Sequence, residues 1–130
     1  MTRSIRKAAV GLMIGVPLLT TPVAFAADAT NGKAVFVAKC SGCHSATAAP
    51  GGAVAGPNMF SVMGRKAGAV EGFSWYTPAL KNSGITWNEK ILEEFLTNPM
   101  RKVPGTTMAI ALPDPRERTD VIAYLKTLKK

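Results

Sequence analysis

Cys40-Ser41-Gly42-Cys43-His44 brings two thiols and one imidazole into five consecutive residues. Two cysteines two residues apart, followed at once by histidine, form the attachment pattern for a covalent c-type haem. The spacing holds both sulfurs within about one turn of chain, so each can form a thioether to one haem vinyl group while the next side chain offers a ring nitrogen to the iron. A dithiol redox pair has the same first four residues, but it belongs in a βαβ setting that this chain does not show. A structural zinc site normally takes four Cys or His ligands, and Cys40, Cys43 and His44 are the only such residues present.

An iron held by His44 on one face leaves the other face open, and its occupant separates a carrier from a catalyst or a gas binder. With no second histidine, the candidates are methionine, lysine or water. Outside the N-terminal stretch the methionines are Met59, Met63, Met100 and Met108. Most methionines only fill cores. Met108 stands apart because Pro104-Gly105-Thr106-Thr107 precedes it, a restricted turn able to aim a side chain from a loop. Thioether sulfur is a neutral, soft donor that favours ferrous iron and raises the potential.

Helical patterns surround these residues. Asn31 to Lys39 places Gly32, Val35, Phe36 and Cys40 on one face and leads into the motif. Thr77-Pro78 through Ser83-Gly84 has a cap, a proline at the first helical position and a terminal glycine, the marks of a short helix. Thr86-Trp87-Asn88-Glu89 reads as a capping box opening a helix that runs to Thr97, where Asn98-Pro99 stops it. A last helix starts at Asp114-Pro115, with Glu117 three residues after the cap. Val121, Ile122, Leu125 and Leu128 form its stripe, and Lys126, Lys129 and Lys130 suit its negative end. No run alternates as a strand, so the expected class is all-α.

The first 26 residues have another character. Arg3, Arg6 and Lys7 precede an apolar run from Ala8 to Leu19, and Ala24-Phe25-Ala26 suits a signal peptidase. A cleavable signal peptide over 1–26 and one domain over 27–130 are therefore expected. Haem attachment outside the cytoplasmic membrane agrees with export of a chain whose only two cysteines lie in the motif. An uncleaved anchor is the rival reading, weakened by Pro17, Thr20, Thr21 and Pro22. Arg3 and Arg6 are not adjacent, so the twin-arginine route gains no support. Removing 1–26 takes three basic residues from 16, leaving 13 against 8 acidic, a formal +5 that two haem propionates would lower. That balance weakly favours an acidic docking partner. The basic residues are scattered, with no basic helix or aromatic-interleaved patch, so no nucleic-acid partner is expected.

Taken together, the segments around Gly32 to Phe36, CSGCH at Cys40, GPN at Gly56, GRKAG at Gly64, ALKNSGITW at Ala79, NP at Asn98, PGTTM at Pro104 and ERTDVIAYL at Glu117 resemble, in order, the class I cytochromes c. The likeness is to the soluble kind similar to mitochondrial cytochrome c and its periplasmic bacterial relatives. It implies a small helical fold wrapped around one covalent haem c, with His44 and Met108 as axial ligands and Cys40 and Cys43 as thioether anchors. It implies that the Pro57 carbonyl accepts a hydrogen bond from His44, that Tyr76, Trp87 and Arg65 donate to the haem propionates, and that Gly32, Phe36 and Tyr124 meet where the first and last helices cross.

Several residues depart from the family pattern. Thr107 and Met100 stand where relatives often carry lysine, Ile110 replaces an aromatic, and Phe95 occupies the place of a tyrosine that hydrogen-bonds the methionine sulfur in many relatives. Ala111-Leu112-Pro113-Asp114-Pro115 is shorter and richer in proline than its counterpart, and Trp75 adds an aromatic beside Tyr76. The expected function is one-electron transport in the periplasm by a monomer that docks transiently with membrane redox complexes: by resemblance a cytochrome bc complex as donor, and a terminal oxidase or photosynthetic reaction centre as acceptor. A dedicated acceptor for one periplasmic dehydrogenase is the alternative, and a haem ligand-binding protein a lesser one. An enzyme is not expected, because the single histidine leaves none for distal acid-base work.

Overall fold

The computed structural model describes residues 25–49 and 55–129. The expected signal peptide therefore falls, except for its last two residues, outside the described part, as does Lys130. Five helices follow in order: α1 (Ala29–Lys39), α2 (Pro78–Lys81), α3 (Glu89–Thr97), α4 (Pro99–Lys102) and α5 (Pro115–Thr127). Among the described residues there is no strand, only an isolated antiparallel bridge between Lys66 and Thr86. The class is all-α.

Capping explains where most of these helices begin. α1 starts two residues earlier than its apolar pattern predicts, because the Asp28 carboxylate accepts from the Thr30 and Asn31 amides at 2.8 and 3.1 Å. Such a cap is worth about 1 kcal/mol. Thr77 caps α2, with Pro78 at its first position. That helix ends earlier than expected, at Asn82, with Gly84 two residues further on at φ 69°.

The capping box assigned to Thr86 is corrected by the structure. Asn88 caps α3, accepting from the Ile91 amide at 2.9 Å. Thr86 and Trp87 are held extended instead by backbone pairing: the Trp87 amide donates to the Arg65 carbonyl at 2.9 Å, and the Gly64 amide donates to the Trp87 carbonyl at 2.8 Å. This tertiary pairing outweighs a cap of equal local quality. Asn98 stops α3 as expected, but it also caps the short α4, which the sequence pattern did not reveal.

At α5, Asp114 caps and accepts from the Arg116 amide at 2.8 Å. Glu117 turns away from that cap and takes both ammonium contacts of Lys39 on α1 at 2.6 Å. Lys126, expected to serve the end of the helix dipole, also pairs with Glu89 of α3 at 2.6 Å.

The helices contribute Val35 and Phe36 (α1), Leu92, Phe95 and Leu96 (α3) and Val121, Ile122 and Leu125 (α5) to the core, joined by Val62, Trp87, Val103 and Leu112 from the segments between them. α1 and α5 approach closely because Gly32 has no side chain to separate them, and the Phe36 and Tyr124 rings meet at 5.5 Å. Asp120 seals this crossing, accepting from the Asp28 amide at 2.8 Å and from Asn31 Nδ2 at 2.7 Å. The Asp28 amide, then the Asn31 side chain, hold its carboxyl below the usual range.

Candidate haem-binding site

α1 carries the chain directly into Cys40. The Cys40 and Ser41 amides both donate to the Phe36 carbonyl at 2.8 and 2.9 Å, and the Cys43 and His44 amides donate to the Cys40 carbonyl at 3.0 and 2.9 Å. The five motif residues therefore form one tight turn. Neither cysteine is in a disulfide. Burial raises the Cys40 thiol pKa, assisted by Cys43 and opposed by Lys39.

The turn opens onto a cavity of about 350 Å³. All eight residues singled out from the sequence line it: Cys40, Cys43, His44, Pro57, Arg65, Tyr76, Trp87 and Met108. They come from separate parts of the chain. The remaining wall is largely apolar, with Phe36, Leu92, Phe95 and Leu112 among its residues.

His44 is fixed in one orientation. Its Nδ1 lies 2.8 Å from the Pro57 carbonyl. A carbonyl can only accept, so Nδ1 carries the hydrogen and Nε2 holds the lone pair. Burial lowers the ring pKa from its ordinary 6.5, against the opposing pull of the Pro57 carbonyl, so the imidazole is neutral at pH 7. A neutral ring with a defined tautomer is the form that binds a metal.

Two methionines line the cavity, Met59 and Met108. The Met59 amide donates to the Ser45 carbonyl at 2.7 Å, and Met59 follows Pro57 by two residues, so its backbone belongs to the His44 wall. Met108 reaches the cavity on the loop between α4 and α5. Thr106 is buried there, and its Oγ1 accepts from the Met108 amide at 3.4 Å. Met100 is exposed and is not part of the wall.

Arg65 and Tyr76 keep donors in hand. Arg65 gives Nη1 to the Phe60 carbonyl at 3.0 Å and Nη2 to the Asn58 carbonyl at 2.6 Å, which uses two of five N–H bonds. Tyr76 accepts from the Val70 amide at 3.3 Å, leaving its own hydrogen to be donated. Burial raises the phenol pKa and lowers that of Arg65, while each group's field on the other opposes the shift. Trp75 also touches the cavity but is 79% exposed. Tyr76 is half-buried, with its ring edge-on to Phe73 at 4.9 Å.

The cytochrome c family model matches residues 29–129. The chain belongs to the cytochrome c family. It is 50% identical over 102 residues to cytochrome c of Tetrahymena pyriformis, covering 78% of this chain and 89% of that protein. It is 44% identical over 119 residues to cytochrome c2 of Rhodomicrobium vannielii, covering 88% and 91%. Cytochrome c of Trypanosoma brucei brucei is 49% identical over 86 residues, 65% and 91%. Members of this family bind one covalent haem c with its iron and are electron carriers, not enzymes.

The residues of this cytochrome fit that group. Two unbridged thiols and a neutral, oriented imidazole lie on one wall, the remaining lining is mostly apolar, and Gly56 leaves room for the histidine. A Cβ on Gly56 would fall 2.5 Å from His44 Cε1.

Two supports escaped the sequence reading. Asn58 is buried, donates to the Thr47 and Ala49 carbonyls at 2.5 and 2.6 Å, and accepts from the Phe60 amide at 2.7 Å, pinning the chain beyond His44. Arg118 ties the far end of the Met108 loop. Both stand inside quoted motifs, GPN and ERTD, but nothing local marks their partners.

Proposed function

We propose that this cytochrome is a soluble periplasmic one-electron carrier in which Cys40 and Cys43 anchor the haem and His44 and Met108 hold its iron. The convergence of His44 and Met108 on one cavity, with the histidine tautomer set by Pro57, carries the reading. Haem supplies a one-electron couple when bound. The chain supplies the rest. Pro57 holds His44 in place and raises its basicity, Arg65, Tyr76 and Trp87 supply donors for the propionates, and the apolar wall excludes water. A site that presents the same two donors in both oxidation states changes little on electron transfer.

The docking face is less basic than the family pattern. Lys39 is paired with Glu117, Thr107 and Met100 stand at positions often held by lysine, and Ile110 is exposed beside the cavity. Partners such as a cytochrome bc complex and a terminal oxidase or reaction centre would then meet a small interface with a modest salt dependence.

The visible and near-infrared spectrum of the ferric, haem-loaded protein tests the ligand set. The weak sulfur-to-iron charge-transfer band should be present, vanish in Met108→Ala and persist in Met59→Ala. Its absence from the unmodified protein, or rapid carbon monoxide binding to the reduced protein at neutral pH, would return a ligand-binding role to the lead. The amino terminus of protein recovered from the periplasm tests export, with Ala27 expected first.

A further inference from the structure

We infer that Arg118 is the positioning residue for the Met108 loop, and that its guanidinium determines how long the methionine stays in place. The inference rests on the Met108 ligand reading.

The loop from Gly105 to Asp114 is held at two ends. On the near side, the Thr106 amide closes a turn on the Val103 carbonyl at 3.0 Å, and Thr106 Oγ1 meets the Met108 amide. On the far side the chain has few donors of its own, because Pro113 and Pro115 carry no amide hydrogen. Leu112 is 1% exposed, so both of its backbone polar groups need partners. Its amide donates to the Leu96 carbonyl at 2.8 Å. Its carbonyl, and that of Pro113, accept from the same nitrogen, Arg118 Nη1, at 2.7 and 2.8 Å. Arg118 Nε meanwhile donates to Glu93 Oε1 at 2.6 Å. One nearly buried arginine on α5 thus joins α3 to the loop that bears Met108.

The planar fork matters here. A guanidinium can address two carbonyls and a carboxylate in fixed directions at once, which a lysine ammonium on a flexible stem cannot reproduce. Met108 and Leu112 are four residues apart. Without Arg118 the far end would keep only the Leu112 amide bond to Leu96 beside the Thr106 turn, with two carbonyls left without a donor, and the thioether would leave the iron more often.

The test is the rate at which imidazole binds the ferric, haem-loaded protein, because entry requires Met108 to move aside. Arg118→Leu should bind imidazole about tenfold faster or more, the scale expected when buried carbonyls lose their donor. Arg118→Lys, which keeps the charge without the fork, should be intermediate and serves if Arg118→Leu does not fold. Val35→Ala, a core truncation on α1, should lower global stability without accelerating imidazole entry. Amide exchange at Leu112 should quicken in the arginine variants by more than their loss of global stability accounts for, and in Val35→Ala by no more than that.

Wild-type imidazole rates in both arginine variants would overturn the inference. So would an equal acceleration in Val35→Ala, which would assign the effect to global loosening. If the charge-transfer band is missing from the unmodified protein, the ligand reading itself fails. If the band is present and the arginine variants bind imidazole at the normal rate, only the role of Arg118 fails.

Discussion

Gly32 and Asp120 touch backbone to backbone where α1 crosses α5: a Cβ built on Gly32 would lie 1.9 Å from the Asp120 carbonyl oxygen. Gly32→Ala sets two effects against each other. Alanine gains about 1 kcal/mol of helix propensity over glycine. Overpacking costs about 1–3 kcal/mol, and here the upper part of that range applies because the obstacle is a carbonyl that no rotamer change can move. A net loss of about 2 kcal/mol follows, read as a lower guanidinium midpoint in the haem-loaded protein. Equal or greater stability would show that the helices separate at no cost.

Gly56 bears on His44, the proposed iron ligand, rather than on the core. A Cβ there would meet His44 Cε1 at 2.5 Å, Nδ1 at 2.6 Å and the Cys43 carbonyl at 2.8 Å. In Gly56→Ala the ring must turn, which lengthens or breaks its bond to Pro57. A histidine without that acceptor is a weaker donor to ferric iron. The midpoint potential of Gly56→Ala should rise, by tens of millivolts if a net hydrogen-bond contribution of about 0.5–1.5 kcal/mol is lost mainly from the ferric state. An unchanged potential would mean that the turn absorbs the methyl group without moving His44.

What could be read from the chain beforehand follows the range of the interactions. Asp114 and Thr77 were legible caps because their partners lie two and three residues away. Cys40, Cys43 and His44 stood out as candidates because the haem-attachment pattern requires adjacency. The start of α3 was misread because Thr86 and Asn88 are both good caps, and only the pairing with residues 64–66 decides between them. α4, four residues long, is too short to show a period. Arg118 resembled any solvated helical arginine, since its acceptors, Glu93, Leu112 and Pro113, meet only in three dimensions. The roles proposed for Tyr76, Trp87 and Arg65 rest on family resemblance. Their side chains alone would have passed for core or surface.

Phe95 faces the cavity, buried, with its ring edge-on to Trp87 at 5.1 Å. Phe95→Tyr adds one hydroxyl to this wall. If it donates to the Met108 sulfur, it weakens donation to ferric iron more than to ferrous iron, and the potential rises. A differential of about 0.5–1.5 kcal/mol corresponds to about 20–65 mV for one electron. Redox titration of the two proteins side by side decides, and no rise would refute the assignment.

Glu94 anchors a surface cluster, pairing with Lys102 and with Lys90 one turn earlier on α3. Hydrogen bonds to Lys102 and then Lys90 bring its pKa from 4.5 down to about 2. Because the folded value lies below the unfolded one, any stability the cluster adds is fully present above about pH 4.5 and is lost as the pH falls through about 2. The group is exposed, so that contribution is small and screened. Carbon-13 titration of the Glu94 carboxyl should give a midpoint near 2 at low salt, moving up toward 4.5 in 1 M salt, where the screening length is about 3 Å. In Lys102→Gln the low-salt midpoint should also rise, since the larger of the two partners is gone. A midpoint that stays near 2 in both conditions would mean that something other than the two lysines holds the carboxylate ionised.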